Sequence, residues 1–374
     1  MKKFVSGHFI GQGSYKSFVP NAISRSWQID DMQVLQLLSQ ADRELGRLDM
    51  FSKYVDIDLY ISMHIAWEAR QSTRIEGTQT SMEEVFLGRD DISHERRSDW
   101  EEVQHYIAAM NEAMQLLPSL PFSTRLIRKV HHVLLQGVRG QQKLPGEYRS
   151  SQNWIGGASL SDAVFVPPPH SMVGDLMSDL EKFANDPGNL MPELLKAALI
   201  HYQFETIHPF LDGNGRVGRL LIPLLLVNKG IIERPVLYLS DFFERNRMLY
   251  YDNLMRVRTH NDLGQWFRFF LTGIVETSRK GIQTFDGILL LQRRLDEKLK
   301  SLGSRSADAR KVLDALFRKP AIDAPRLQEI IGKSKVSAYK LIDDLERLGI
   351  LEEITGAQRG RVYVFREYLE LFKG

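Results

Sequence analysis

The sequence predicts a mainly α-helical protein, in which a helical bundle with a short β-hairpin flap is followed by a C-terminal winged helix-turn-helix domain. Three observations support this fold class. Apolar residues recur at three- and four-residue spacing through most of the chain, as in amphipathic helices. One central stretch bounded by glycine and proline has the character of short strands. The last 70 residues show helical periodicity followed by two strand-like segments.

The bundle is predicted from the periodicity of its helical segments. These extend from about Asp30 to Leu45, Asp56 to Ile75, Trp100 to Leu117, Ser123 to Leu135, Val173 to Phe183 and Pro192 to Ile207. The second segment ends near Gly77, a residue type that suits the carboxyl end of a helix. Glu76 is therefore expected on the last turn of that helix.

The flap is predicted between Gly146 and Pro169, where the helical pattern stops. This stretch contains a Gly156-Gly157 pair, the segment Ala163-Val-Phe-Val and three consecutive prolines. Such a pattern favours a short hairpin over a helix.

The C-terminal unit is predicted from the order of its elements. Helices are expected at Arg310 to Phe317, Pro325 to Ile331 and Ser334 to Leu348, with strands at Ile350 to Ile354 and Arg361 to Phe365. Lys333, Lys335, Lys340, Arg359 and Arg361 occupy positions that a DNA-binding winged helix would use. However, residues 306–374 contain 13 Lys and Arg against 11 Asp and Glu. DNA binding and protein docking therefore both stay open for this unit.

Length and composition limit the function classes. A chain of 374 residues favours two or three units, which we place at residues 1–110 (N-terminal helical region), 111–285 (core) and 286–374 (linker helix and winged helix). The 49 Lys and Arg nearly balance the 47 Asp and Glu, so no overall field attracts nucleic acid or an anionic membrane. Cysteine is absent, which excludes disulfides, thiol nucleophiles and thiolate metal sites. No segment has the length of a signal peptide or membrane span, so we expect a cytoplasmic protein without a membrane partner.

The segment with the clearest chemistry is His208-Pro-Phe-Leu-Asp-Gly-Asn-Gly-Arg-Val-Gly-Arg219. Gly213, Asn214 and Gly215 form the predicted turn between two helices, where exposed N–H groups at a helix start make an anion-binding nest. Arg216 and Arg219 lie three residues apart on the first helical turn, and guanidinium groups bind phosphate oxygens in pairs. Phosphate is therefore the expected ligand.

Two further side chains in this loop suit phosphoryl chemistry. Asp212 supplies a hard oxygen ligand that would hold Mg²⁺ together with phosphate oxygens. His208 has an ordinary pKa of about 6.5, so its neutral imidazole can accept a proton from an attacking hydroxyl group. The joint occurrence of base, acid, turn and arginines favours a functional loop over a packed histidine beside an ordinary turn.

This loop resembles the signature of the Fic family, His-x-Phe-x-Asp/Glu-Gly-Asn-Gly-Arg-x-x-Arg, at every fixed position. The resemblance implies a Fic-type helical bundle that transfers AMP from ATP to a Ser, Thr or Tyr hydroxyl group of a target protein, the protein itself included. It implies His208 as base, Asp212 as Mg²⁺ ligand, and Gly213, Asn214 and Gly215 as phosphate cradle. Arg216 and Arg219 would then bind phosphates, with Arg219 on the γ-phosphate.

An upstream segment, Ser72-Thr-Arg-Ile-Glu76-Gly77, resembles the inhibitory pattern of the same family, Ser/Thr-x-x-x-Glu-Gly/Asn. The resemblance implies that a Glu76–Arg219 ion pair occupies the guanidinium that the γ-phosphate of ATP needs. Some inhibited family members use this glutamate to activate water and remove AMP from a target. Ser72, Glu76 and Gly77 are therefore expected to regulate the site, and the reverse reaction stays open.

Two segments resemble family binding elements with less specificity. The flap, with Ile155, Gly156, Gly157 and Ala158, resembles a hairpin that pairs with an extended target strand, although it also fits a plain surface hairpin. Tyr250 and Tyr251 resemble the lining of the adenine and ribose pocket. Adjacent residues on a helix cannot share one face, so one tyrosine is open to a core role.

An alternative function and the oligomeric state remain open. An ATP-sensing winged-helix regulator that binds DNA is the alternative to an enzyme, and the intact His208 favours the enzyme because a sensor needs no base. A homodimer through the helical surface stays open.

Overall fold

The computed structural model describes residues 4–54, 59–137, 141–356 and 358–373, and these residues are mainly helical. The helices are α1 Met32–Tyr54, α2 Ile61–Ile75, α3 Met82–Val85, α4 Arg97–Leu116, α5 Thr124–Leu134, α6 Val173–Asn185, α7 Glu193–Ile207, α8 Asn214–Asn228, α9 Ser240–Arg245, α10 Arg247–His260, α11 Leu263–Lys300, α12 Ser306–Arg318, α13 Ala324–Ile331, α14 Lys335–Arg347 and α15 Arg366–Lys373. The strands are β1 Gly7–Gly11, β2 Lys16–Pro20, β3 Ala321–Asp323, β4 Glu352–Glu353 and β5 Val362–Val364. The predicted fold class is confirmed. The first residues of the segment predicted from Asp56 lie outside the described residues.

Helix α7 forms the centre of the bundle, because every residue from Leu194 to Ile207 is buried. It packs against α6, α8 and α11. The indole N–H of Trp266 on α11 donates to the Ala198 carbonyl of α7 at 2.8 Å. A helix that is buried on all sides holds its carboxyl end firmly, and that end carries His208.

An N-terminal hairpin, β1 with β2, was not predicted from the sequence. Its antiparallel register runs from Gly7 opposite Pro20 to Gly11 opposite Lys16. The strands were missed because glycine and serine dominate their turn and only five residues lie in each strand. The Phe18 N–H donates to the Val166 carbonyl at 2.9 Å, so this hairpin supports the base of the flap.

The flap itself is shorter than predicted. Its two sides meet in a single antiparallel bridge between Ile155 and Phe165, without named strands among the described residues of the flap. Gly156 and Gly157 turn the chain immediately after the bridge at φ of 68° and 74°. On the other side, Pro167 and Pro168 lack the N–H groups that a longer ladder needs.

The C-terminal unit has the predicted order of helices and hairpin, with two additions. Strand β3 joins the hairpin to give the strand order β3–β5–β4, and α15 follows as a last helix. Helix α15 packs on α2, where the Phe372 ring lies 5.0 Å from His64 and 6.4 Å from Trp67 between centroids. The predicted boundary at residue 285 falls within α11, which runs unbroken from the bundle to this unit.

Among the described residues, no helix has the combination of length and apolar character that crossing a membrane requires.

Candidate active site

The site begins where α7 ends, at His208. This residue adopts the left-handed conformation, with φ of 50° and ψ of 61°, and its N–H donates to the Phe204 carbonyl. The Arg149 Nε donates to the His208 carbonyl at 3.0 Å, and the Asn153 Nδ2 lies 3.3 Å from the same oxygen. A non-glycine residue in this region is uncommon, so these two donors help to hold the histidine in place.

The turn that follows lies between α7 and α8, where the sequence predicts it. Gly213 has φ of 77° and precedes the first residue of α8 without a side-chain cap. The N–H groups of the first helical turn lack partners within the helix. The Asn214 side chain points into the loop, where its Oδ1 accepts from the Phe210 N–H at 2.9 Å and its Nδ2 donates to the Phe210 carbonyl at 2.8 Å. Asn214 therefore braces the loop from inside.

Sequence reasoning missed His131, which supports the same loop. The His131 ring stacks on Phe210 with centroids 3.7 Å apart. Its Nδ1 accepts from the Gly146 N–H at 2.8 Å, so its Nε2 carries the proton and donates to the Asp212 carbonyl at 3.0 Å. Burial lowers the pKa of His131 to about 4. Its helical spacing on α5 carried no functional signal.

A cavity of about 820 Å³ lies above the loop, and we call it the front cavity. Its wall contains most of the predicted site residues, namely Glu76, Ile155, Gly156, His208, Asp212, Gly213, Asn214, Gly215, Arg216, Arg219, Tyr250 and Tyr251. Ser72, Gly77, Gly157 and Ala158 are not part of this wall. The structure thus brings the base, the acid, the nest and both arginines to one cavity.

Both arginines of the loop are already paired with carboxylates. Arg216 lies 2.8 Å from Glu102 (Nη1 to Oε2) and 3.3 Å from Asp212 (Nη2 to Oδ1). Arg219 is almost completely buried, and its Nη2 donates to Glu76 Oε1 at 2.6 Å. Sequence reasoning missed Glu102, an ordinary acidic position on α4.

Ser72 and Gly77 fix the geometry of this ion pair. Arg219 Nε donates to the Ser72 hydroxyl at 2.9 Å, and Nη2 donates to the Ser72 carbonyl at 2.8 Å. Gly77 follows the carboxyl end of α2 and has φ of 108°, a conformation that favours glycine. Burial opposes ionisation of Glu76, but the Arg219 guanidinium outweighs it and lowers the pKa of this carboxyl group.

Close packing requires two glycines in α8. A Cβ atom on Gly215 would lie 2.4 Å from Glu76 Oε1, and one on Gly218 would lie 2.3 Å from Glu205 Oε1. Gly215 therefore allows the Glu76 carboxylate to reach the start of α8.

The environment of His208 keeps its ring neutral. Burial, followed by the nearby Arg258 and Arg149 charges, lowers its pKa to about 3. The Nδ1 atom is buried 3.8 Å from Glu205 Oε2 and has no hydrogen-bond partner among the described residues. Burial raises the pKa of Glu205 to about 7. Sequence reasoning missed this carboxyl group, which lies three residues before His208 in a helix without a visible polar face.

Tyr250 and Tyr251 lie on different faces of α10, as expected for adjacent residues of a helix. Tyr250 is buried and stacks on Phe243, with centroids 4.5 Å apart. The His201 Nδ1 faces the Gly218 carbonyl at 3.0 Å and must donate, so His201 Nε2 accepts from the Tyr250 hydroxyl at 2.9 Å. Tyr251 is 38% exposed and offers its ring to the front cavity.

The flap forms the rim of the front cavity through Ile155 and Gly156. Gly157 and Ala158 lie in the turn beyond, where the Ala158 N–H donates to Asp162 at 2.8 Å. The Arg258 guanidinium lies 3.8 Å from the centroid of the Phe165 ring, which anchors the flap.

Asp212 suits a cation that arrives with a polyanion. Its side chain is 45% exposed at the front cavity, and its Oδ1 accepts from the Gly213 N–H at 2.5 Å. The described residues contain no cluster of three or more metal-ligating side chains. One carboxylate with phosphate oxygens and water is nevertheless a common way to hold Mg²⁺, so the residues fit a nucleotide-dependent metal.

The start of α8, the two arginines and the neutral histidine meet at one cavity, an arrangement that suits phosphate groups next to a base. Two family models match this part of the chain: the Fic/DOC family N-terminal model over residues 35–115 and the Fic/DOC family model over residues 121–226. Together they span half of the chain. The chain therefore belongs to the Fic/DOC family.

Relatives and solved structures agree with this assignment. The chain is 36% identical over 125 residues to the protein adenylyltransferase Fic of Culex quinquefasciatus. The matched residues are 33% of this chain and 22% of the relative. It is 34% identical over 125 residues to that of Drosophila grimshawi, covering 33% and 23%. The chain thus spans about a fifth of the length of these relatives.

The fold resembles that of a Fic family protein from Desulfovibrio desulfuricans G20, with a TM-score of 0.56, 19% identity, and coverage of 91% of this chain and 98% of that one. Fic-1 of C. elegans gives a TM-score of 0.53 and 20% identity, with coverage of 69% and 74%. At these identities the likeness defines the fold alone.

Proposed function

We propose that this protein transfers AMP from ATP to a Ser, Thr or Tyr hydroxyl group of a target protein. The observation that carries the proposal is the convergence of His208, Asp212, the nest and both arginines on the front cavity. The match to relatives named protein adenylyltransferase Fic supports the same activity.

In the proposed reaction, the hydroxyl oxygen of the target attacks the α-phosphorus of ATP. A phosphorus–oxygen bond to the target forms, the bond to the bridging oxygen breaks, and pyrophosphate leaves. The hydroxyl proton goes to His208 Nε2, because Nδ1 is buried beside Glu205. General base catalysis of this kind contributes about 10²- to 10⁴-fold in rate.

The surrounding residues position and neutralise the triphosphate. The N–H groups of Asn214 and Gly215 at the start of α8 would bind phosphate oxygens, and Arg216 and Arg219 supply positive charge where the polyphosphate lies. Asp212 would hold Mg²⁺, which neutralises phosphate charge when it is bound. Tyr251 offers a ring face to adenine or ribose, whereas Tyr250 supports the wall through His201.

We propose further that the observed conformation is inhibited. The Nε and Nη2 groups of Arg219 donate to Ser72 and Glu76, so this ion pair occupies the guanidinium that the γ-phosphate of ATP would need. ATP that binds without this contact would be poorly aligned for attack.

The flap is the proposed docking edge for the target. Ile155 and Gly156 at the rim would present backbone groups to an extended target segment. Such pairing would bring the hydroxyl group to the same cavity as His208. The protein's own chain is included among the targets.

Labelled ATP tests this function. Purified wild type, Glu76→Gly and the double variant Glu76→Gly/His208→Ala are incubated with cell extract and ATP that carries label on either the α- or the γ-phosphate. We expect protein labelling from the α position only, strongest with Glu76→Gly and absent with the double variant. Labelling from the γ position would identify a kinase instead, and no labelling with Glu76→Gly would contradict AMP transfer.

Two other functions rest on specific observations. Glu76 lies on the cavity wall, where it could activate water and remove AMP from a modified target. Release of AMP from a labelled target by wild type but not by Glu76→Gly would support this reverse reaction.

DNA binding by the winged helix rests on α14, which exposes Val336 and Tyr339 beside Lys335. A protein that only senses ATP through the Fic site and binds DNA would retard a DNA fragment in a salt-dependent manner and transfer no label. A homodimer stays a prediction that sedimentation can test.

A further inference from the structure

A second cavity, of about 530 Å³, lies behind the inhibitory helix α2, and we call it the rear cavity. Its wall combines the outer side of α2 with α3, α9, α11 and the end of α15. The volume falls in the range of small-molecule sites. No residue of the proposed reaction lines it.

The rear cavity has a positive lining. Five cationic side chains and three carboxylates contribute to its wall; the cations are Arg70, Arg74, Arg245, Lys280 and Lys373, and the carboxylates are Glu83, Asp241 and Glu244. The whole protein, by comparison, is almost neutral. An anion therefore gains from entering this cavity.

Arg70 is the cation that lacks a matching carboxylate. Its Nε donates to the Thr80 carbonyl at 2.9 Å and its Nη1 donates to Gln71 Oε1 at 3.1 Å. No carboxylate among the described residues lies within ion-pair distance of this half-buried guanidinium. Arg74 and Lys280, in contrast, have carboxylates at 3.1 Å and 3.2 Å.

Trp67 supplies an apolar surface beside this charge. Its ring centroid lies 5.7 Å from the Arg70 guanidinium carbon and 5.5 Å from the Lys280 ammonium nitrogen. A cation next to an indole face suits a ligand that has an anionic group attached to a carbon skeleton.

The rear cavity is connected to the Glu76–Arg219 pair through α2. Gln71, on the wall of the rear cavity, donates to Asp241 Oδ1 at 2.6 Å. The next residue, Ser72, binds Arg219 on the other side of the helix. A ligand that fits the rear cavity in this conformation stabilises α2 where it is, with Glu76 on Arg219.

We propose that the rear cavity binds a small organic phosphate, with Arg70 as the principal contact, and that binding strengthens the hold of Glu76 on Arg219. The second half of this proposal rests on the proposed function. The first half does not, because binding is measured without catalysis.

Tryptophan signals test the binding. The protein has five tryptophans; Trp67 lines the rear cavity and Trp154 lines the front cavity. In protein labelled with ¹⁵N-tryptophan, the two indole signals are assigned with Trp67→Phe and Trp154→Phe. Ribose 5-phosphate and inorganic phosphate are the probes, and sodium chloride of equal ionic strength is the control.

We expect ribose 5-phosphate to shift the Trp67 signal in a saturable manner, with inorganic phosphate doing so more weakly. Arg70→Gln should abolish the shift, whereas Arg216→Gln in the front cavity should leave it intact. The proposal is overturned if only Trp154 responds, if chloride produces the same shift, or if Arg70→Gln binds as wild type does. The dispersion of the remaining indole signals shows whether each variant is folded.

The regulatory half is tested by AMP transfer. Ribose 5-phosphate at a concentration that saturates the Trp67 shift should lower transfer by wild type at least threefold and leave Glu76→Gly unchanged. A Trp67 shift without a change in AMP transfer would support binding in the rear cavity and contradict its coupling to the Glu76–Arg219 contact. A loss of transfer in Glu76→Gly as well would indicate competition in the front cavity and overturn the regulatory half. If Glu76→Gly transfers no AMP at all, the proposed function fails while the binding result stands.

Discussion

Glu76 and Arg219 meet at 2.6 Å although 143 residues separate them in the chain. The guanidinium is almost fully buried, and Ser72 of α2 also accepts from its Nε and Nη2 groups. A charged group in this setting is strongly oriented, because breaking one of its bonds leaves a buried donor without a partner. Helix α2 and the Glu76 that follows it thus hold an arginine of the His208–Arg219 segment, as the proposed inhibition requires.

Ser72 should contribute to inhibition, but less than Glu76 does. Ser72→Ala removes the hydrogen bond from Arg219 Nε and leaves both the Ser72 carbonyl and Glu76 in place. We expect AMP transfer a few-fold above wild type and below Glu76→Gly, measured with α-labelled ATP. Transfer equal to that of Glu76→Gly would mean that the hydroxyl group, and not the carboxylate, holds the arginine.

The rate of AMP transfer should not fall near pH 6.5. Burial and neighbouring arginines lower the pKa of His208 to about 3, so the base stays neutral throughout the range from pH 5 to 8. The Glu76 charge raises the pKa of His208. The Glu76→Gly substitution therefore lowers this pKa further and keeps the imidazole neutral. The measurement is kcat/KM of Glu76→Gly between pH 5 and 8. An acid limb centred near pH 6.5 would indicate that the imidazole is solvated.

Stability should decrease as the pH falls from 7 to 5. Folding lowers the pKa of His64 and His131 to about 4 and of His201 and His208 to about 3, so each ring stabilises the native state above its unfolded pKa of about 6.5 and loses that contribution in acid. Glu205, with Glu68, has its pKa raised to about 7 and acts in the opposite direction, stabilising in acid and losing its contribution as the pH rises.

Between pH 5 and 7, the four histidine rings change the free energy of unfolding more than the two carboxyl groups do. From these six groups we expect the free energy of unfolding to be about 3 kcal/mol lower at pH 5 than at pH 7. Urea unfolding at several pH values measures the difference. Glu205→Gln should steepen the loss, because it removes one opposing group, and a flat profile would contradict the buried neutral rings.

Substitution of Gly218 tests the close approach of Glu205 to α8. A Cβ atom there would lie 2.3 Å from Glu205 Oε1 and 3.1 Å from the Phe204 ring. Overpacking of this kind costs about 1–3 kcal/mol, so Gly218→Ala should lower the Tm. Gly46→Ala is the matched control, because Gly46 lies within α1 with no atom within 4 Å of its added Cβ. It should raise stability by about 0.5–1 kcal/mol, and an equal loss in both variants would point to a general intolerance of alanine.

The sequence predicted the helical elements and the loop because their signals are local. Periodicity located α4 to α7 to within a few residues, and the glycine turn with its two arginines indicated a phosphate site. The missing parts depend on contacts between distant segments. His131 and Glu205 face the loop from helices whose periodicity indicates packing and no chemical role. The inward direction of the Asn214 side chain is instead a local contact, with the N–H and carbonyl of Phe210 four residues earlier. The short β1–β2 hairpin is stabilised by its contact with the flap base, which no local pattern can reveal.

Helix α11 runs for 38 residues without a break and belongs to both the bundle and the C-terminal unit. A continuous α-helix advances about 1.5 Å and turns about 100° per residue. Deleting one residue from its middle would therefore swing every later element around the axis by that angle and separate α15 from the back of α2. Seven residues, close to two full turns, could be inserted with little rotation but would still move α15 about 10 Å along the axis. The chain is consequently far less tolerant of length changes in α11 than in its loops, because the length and helical rotation of α11 set the position of the C-terminal unit relative to the bundle.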